Sequence, residues 1–162
     1  CQIEPDWVPC PSVMHPSFDI PDSSLNIRMT TNEVICCQHR EDRFRFDYPQ
    51  GLDDWAEVKM QGRITEIVNQ IKTSDHVISS SYHGALWGVC SGAKVVAVNG
   101  FSQKFQTGLP DSVRLLSSLE LNQGKRLRNA ILDSIQRNPD WLGMARMRTI
   151  SFANDVQKLL SA

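Results

Sequence analysis

The stretch "HVISSSYHGALWGVCSGAKVVAVNG" (76–100) decides how this chain folds. It opens as a short apolar run and is then interrupted by Ser79-Ser80-Ser81-Tyr82-His83-Gly84. It resumes as apolar "ALWGVC" and, past Gly92, ends in the β-branched "KVVAVNG". The run 76–81 is too short for a helix between such flanks and reads as a strand. Residues 84–91 are apolar around most of their circumference, as in a short helix buried against a sheet. Gly92 is positioned to end that helix in a left-handed conformation, and 94–100 reads as the next strand. Strand, helix and strand in so short a span make a βαβ unit, which closes with parallel strands and a right-handed crossover. The fold class that follows is α/β, a Rossmann-like parallel sheet flanked by helices.

Working upstream, "EVICCQH" (33–39) reads as another buried strand, in which Cys36 and Cys37 point to opposite faces. A polar loop follows over 40–51, closed by Pro49 and Gly51. Asp54 with Glu57 three residues on has the spacing of a capping box. Trp55, Val58, Ile64, Ile67, Val68 and Ile71 then predict one amphipathic helix, in which Gly62 costs about 1 kcal/mol relative to alanine. Downstream, "PDSVRLLSSL" (110–119) and "KRLRNAILDSIQR" (125–137) predict further helices, the second with Leu127, Ala130, Ile131 and Ile135 on one face. Lys125, Arg126 and Arg128 read as its solvated end. Asn138-Pro139 is a cap with a first-turn proline, opening a long amphipathic helix that runs to Leu160.

These readings divide the chain into a proline-rich linker or entry segment (1–25), a Rossmann-like donor-binding domain (26–138) and a C-terminal helix (139–162). The chain opens at Cys1, without methionine or a signal-like segment. With the proline-rich entry, this predicts a fragment whose N-terminal domain is missing. The final helix would then pack back on the domain or cross to that absent part. Its apolar residues Trp141, Phe152, Val156, Leu159 and Leu160 predict weak self-association.

Composition narrows the function. Among 162 residues, 41% are hydrophobic and 22% charged, with 17 basic residues against 18 acidic. No basic field exists to attract nucleic acid or anionic lipid, and the longest apolar runs fall short of a membrane span. Five cysteines at irregular spacing read as small buried hydrophobes of a reducing, cytoplasmic compartment, not as a disulfide framework. No CxxC pair or closely spaced His/Cys set supports a metal.

The interruption within the opening stretch has a physical reading. In an open parallel sheet, ligands bind at the carboxyl ends of strands, where βα loops meet helix N-termini. Ser79, Ser80, Ser81, Tyr82 and His83 fall there, ahead of a helix whose first N–H groups are unpaired and whose dipole favours an anion. Gly84 would let a ligand approach the backbone. Two readings stand: an anion site for phosphate or carboxylate, or a serine-rich helix cap with a structural histidine. His39 and Arg40 leave the first strand toward the same edge. Asn99 and Gly100 end the third strand in the equivalent position.

Three segments carry a resemblance to a known family. "SDHVISSSYHGALWGVCSGAKVVAVNGFSQKF" (74–105) resembles the C-terminal signature of the polysaccharide pyruvyl transferases. "WVPCPSVMHPSF" (7–18) resembles their Cys-Pro-Ser linker, and "EVICCQHRE" (33–41) the strand that follows it. The matches fall in family order. The resemblance implies one half of a GT-B-like fold and transfer of pyruvyl from phosphoenolpyruvate to a sugar hydroxyl of a surface or exopolysaccharide precursor, with no cofactor. It implies that His83 is the motif histidine, a general acid. Tyr82, Gly84, Ser80 and Ser81 would lie around the donor, and Lys104 matches a lysine often found in that position. One departure stands out: Ser81 occupies the place of the family's usual arginine, so a bidentate anion clamp is lost; either Arg40 or Lys104 supplies the charge, or the donor differs. Two alternatives remain: a GT-B glycosyltransferase half using a nucleotide-sugar, with Glu41 or Asp42 on the ribose, or a non-catalytic binding module with a decayed site.

Overall fold

The computed structural model describes residues 10–19, 32–39, 41, 46, 55–98, 102–117, 120, 126, 129–131 and 141–161. Five strands form one sheet: β1 (Asn32–Gln38), β2 (Trp55–Lys59), β3 (Ser74–Ser79), β4 (Lys94–Val98) and β5 (Arg114–Leu116). Their order is β2-β1-β3-β4-β5, and all four neighbouring pairs are parallel. Among the described residues, the helices with both ends defined are α1 (Ile64–Ile71), α2 (Tyr82–Cys90), α3 (Gln103–Thr107) and α4 (Trp141–Leu160). Two 3₁₀ turns, Pro11–Met14 and Pro16–Phe18, precede the sheet.

The two faces follow from the strand order. Passage from β2 to β3, β4 and β5 proceeds one way across the sheet, and passage from β1 to β2 proceeds the other way. Right-handed crossovers therefore lie on opposite faces. Ile67, Val68 and Ile71 of α1 and Ala85 and Leu86 of α2 accordingly pack with Cys37 and Val77. Phe46, from the β1–β2 connection, packs with Cys36, Ile78 and Ile131 on the other side. Adjacent Cys36 and Cys37 thus divide between two cores, as period-two alternation requires, and both are fully buried.

Two expected helices are corrected. Residues 55–71 are not one helix: Trp55–Lys59 is a strand paired with β1 from Val34↔Trp55 to Gln38↔Lys59. Apolar residues at 55 and 58 fit a helical face on paper, but the open edge of β1 offers backbone partners that an isolated helical turn does not. Gly62 marks the break. Its φ of 121° lies where residues bearing a side chain are strained, so the chain turns there and α1 begins at Ile64. Asp54, the expected cap, lies outside the described residues. Residues 110–117 of the helix expected at 110–119 are not helical, since Arg114–Leu116 pairs with Val96–Val98 as β5. The βαβ unit matches expectation more closely. β3 ends at Ser79 because Ser80 and Ser81 leave the sheet, and Gly92 closes the turn after α2 at φ 77°. Of the helix expected at 125–137, Arg126 and Asn129–Ile131 are described and helical.

The proline-rich entry is more than a spacer. Val13 and Phe18 are fully buried in the main core. Trp87 Nε1 donates to Ser12 Oγ (3.1 Å), and Lys72 Nζ donates to the Ser17 carbonyl. From α4, Arg146 donates to the carbonyls of Val13 (2.9 Å) and His15 (3.4 Å) and pairs with Asp19 at 2.7 Å. Trp141 and Ala145 anchor the start of α4 in the core, whereas Leu159 and Leu160 at its far end are 79% and 84% exposed. Among the described residues, no helix is long and apolar enough to cross a membrane.

Candidate functional site

The site lies at the carboxyl edge, where β3 turns into α2. Ser79 organises the turn. Its hydroxyl accepts the Ser81 N–H (3.1 Å) and lies within donating distance of the carbonyls of Ser81 (2.8 Å) and Cys37 (3.0 Å). Ser80 joins the adjacent strand: its Oγ accepts the His39 N–H (2.9 Å) and donates to Gln38 Oε1 (3.3 Å). Buried Gln38 in turn donates to the Phe46 carbonyl (2.8 Å) and accepts the Phe46 N–H (3.2 Å). In a doubly wound sheet the ligand crevice opens where the strand order reverses, here between β1 and β3. Among the described residues that crevice is laced by these hydrogen bonds, and Ser80 is committed to it.

Gly84 requires a correction. A Cβ there would lie 2.4 Å from Ser79 Oγ and 2.7 Å from the Cys37 Cβ. The missing side chain thus lets α2 settle against β1 and β3, and it does not face a ligand. Its N–H still belongs to the first helical turn, together with those of Tyr82 and His83, which have no intrahelical partner. Ser81 is the N-cap residue, nearly buried, and makes no side-chain cap bond. Ala85 donates to its carbonyl at 3.0 Å.

The open groups lie on the other side of the α2 terminus. A cavity of about 810 Å³ is lined by Tyr82 and His83 of α2, Lys104 and Thr107 of α3, Phe152 and Val156 of α4, and Cys10. That volume falls in the range of small-molecule sites. His83 is exposed, with its ring edge-on to Tyr82 (5.6 Å) and tilted against Trp87 (5.5 Å). Tyr82 stands edge-on to Phe105 and donates its hydroxyl to the Gly108 carbonyl at 3.2 Å. Burial, with smaller contributions from Cys10 and Cys90, pushes the Tyr82 phenol up to about 12. Tyr82 is therefore a neutral wall of the cavity, not a base.

Cys10 is the residue that sequence reasoning missed. Its Sγ lies 3.5 Å from His83 Nε2, and Ser12 Oγ donates to it at 3.3 Å. The hydrogen bond to His83 is the largest influence on this thiol. Partial burial opposes it and Ser12 assists it, and the outcome is a thiol lowered from 9.0 to about 7. Burial pushes Cys36 and Cys90 up to about 12 and raises Cys37 further. The shared reading of the cysteines as inert small hydrophobes holds for these three and fails for Cys10. Seventy-three positions separate Cys10 from His83, so no local pattern reveals the pair. The Cys-Pro-Ser sequence was the one visible signal.

Of the residues expected in the site, His83, Tyr82 and Lys104 line one cavity. His39 leaves β1 beside Ser80, yet its Nδ1 accepts the Glu41 N–H (3.1 Å) within its own loop and it does not line that cavity. Ser80 and Ser81 also stand outside the lining. Arg40 and Asn99 lie outside the described residues. Comparison with family models, curated proteins and solved structures finds no match to this chain.

Proposed function

We propose that the chain is the donor-binding half of a polysaccharide pyruvyl transferase-like enzyme, cytoplasmic, using phosphoenolpyruvate as donor and a sugar hydroxyl as acceptor. The observation that carries this reading is the sharing of one cavity by His83 and Lys104 at the α2 terminus. Ser81 cannot clamp an anion as arginine would, and Lys104 supplies a positive charge from the neighbouring helix in its place. The unpaired first-turn N–H groups of α2 favour the same anion. His83, exposed at the cavity, acts as the acid that protonates the enol carbon as the ketal forms. No acidic side chain of the described residues lines the cavity, which favours an anionic donor over a nucleotide-sugar held by a carboxylate on its ribose.

The test has two measurements. Titration calorimetry of the chain with phosphoenolpyruvate at low salt should detect binding that His83→Ala and Lys104→Ala each weaken about tenfold. Phosphate release by the intact protein, supplied with a saccharide acceptor, should vanish in His83→Ala while the fold loses no more than about 1 kcal/mol. Unchanged binding in both variants, or wild-type turnover in His83→Ala, would overturn the reading.

A further inference from the structure

We propose that Cys10 and His83 form a nucleophilic pair that takes an activated acyl group from an anionic acyl donor. The inference stands apart from the pyruvyl-transfer reading, which uses His83 as an acid and needs no thiol. The pair is tertiary: the Pro11–Met14 turn brings Cys10 to the first turn of α2, where Sγ and Nε2 lie 3.5 Å apart and Ser12 Oγ donates to the sulfur at 3.3 Å. Thiol and base are thus within reach, as activation of a nucleophile requires, and the Ser12 hydroxyl adds a hydrogen bond to the sulfur. Among the described residues, the other charged or titratable groups around it are few. Tyr82 and Cys90 are held neutral near pH 7. Lys104 lines the cavity. Arg146 acts on Cys90 and is committed to Asp19 and two carbonyls. No carboxylate among the described lining residues opposes a thiolate there.

The cavity selects the electrophile. A peroxide would not need about 810 Å³, whereas an acyl group could lie along Phe152, Ala153 and Val156 with its anionic carrier toward Lys104. The sulfur, with its thiol lowered to about 7, suits acyl exchange, because it is both a competent nucleophile and a good leaving group near neutral pH. The step balances without a redox partner. The Cys10 thiolate attacks the acyl carbon and forms the C–S bond. The bond to the carrier breaks with its electron pair, and the departing group takes the Nε2 proton of His83. Neutral His83 can then remove the proton of an acceptor hydroxyl as the acyl group passes on and the thiolate is regenerated.

The experiment incubates the full chain separately with acetyl phosphate and with p-nitrophenyl acetate, and maps hydroxylamine-labile acetyl groups by peptide mass spectrometry. Cys10 should carry the label. At pH 7, a thiol at about 7 has roughly 50-fold more thiolate than one at 9, offset by about tenfold lower intrinsic nucleophilicity. Acetylation should therefore run about fivefold faster in the folded chain than in the urea-unfolded chain, with a rate midpoint near pH 7. His83→Gln should move that midpoint upward by at least one pH unit, about a tenfold change in thiol acidity. Lys104→Ala should slow acetyl phosphate and leave the neutral ester unaffected. Iodoacetamide serves as the control that reads the thiol alone. Equal rates in folded and unfolded chain would overturn the pair, and rapid alkylation without acetyl-Cys10 would overturn the acyl chemistry. An equal slowing of both donors by Lys104→Ala would overturn the anionic carrier. None of these outcomes bears on phosphate release from phosphoenolpyruvate, so the two readings fail separately.

Discussion

The two sides of the β3–α2 turn hold similar polar residues in opposite states. On the sheet side, Ser79 and Ser80 are buried and each hydroxyl has two or more partners, so Cys37, Gln38 and His39 are tied to the neighbouring strand. On the outer side, His83 is exposed, and Cys10 and Lys104 share a cavity with it. A run of four hydroxyl residues and a histidine looks like one cluster in the sequence. In space it divides into a brace and an open face. What separates the two is saturation: a hydroxyl already donating and accepting in a buried network adds stability, and a group left open to a cavity is free for chemistry.

That division can be broken most severely from the brace side. Gly84→Ala places a methyl 2.4 Å from Ser79 Oγ and 2.7 Å from Cys37 Cβ, where two strands leave it no room. A loss of about 3 kcal/mol is expected in urea unfolding. A loss below half that figure would mean that α2 can lift from the sheet. Ser80→Ala should cost less, about 1–2 kcal/mol, by leaving the His39 N–H and Gln38 Oε1 without this partner. Phosphoenolpyruvate affinity should stay within twofold, since Ser80 does not line the cavity. Impaired binding with normal stability would instead move the donor into the β1–β3 crevice.

The smallest expected effect sharpens the open side. Cys10 has a folded-state value of about 7 against 9.0 when unfolded. A depressed acid contributes stability that is complete above the unfolded value and is lost as pH falls through the folded one. Stability relative to Cys10→Ser should therefore rise between pH 7 and 9 and be flat below pH 6. Cys10 is only partly buried, so solvent screening limits the gain to about 1 kcal/mol or less. Parallel melting curves of both proteins across that range would read it. A difference independent of pH would show that His83 does not favour the thiolate.

What the sequence determined by itself is the local part. Residues 76–98 carry their own evidence: β-branched runs, an all-round apolar helix too short to stand alone, and Gly92 to end it. Together these force a parallel unit and bring His83 to its carboxyl edge. Cys36 and Cys37 parted to opposite faces because strand geometry alone requires it. Tertiary structure decided the rest. Trp55–Lys59 and Arg114–Leu116 became strands because the edges of β1 and β4 offered them backbone partners, and an apolar pattern of a few residues cannot register partners that lie elsewhere in the chain. Gly84 serves packing because Ser79 and Cys37 meet beneath it. Cys10 turned from an inert thiol into an acidic one because Pro11–Met14, buried through Val13 and held by Arg146 and Trp87, sets it against His83. An ionisation equilibrium depends on the distance between charges, and across 73 residues that distance exists only once the core has formed.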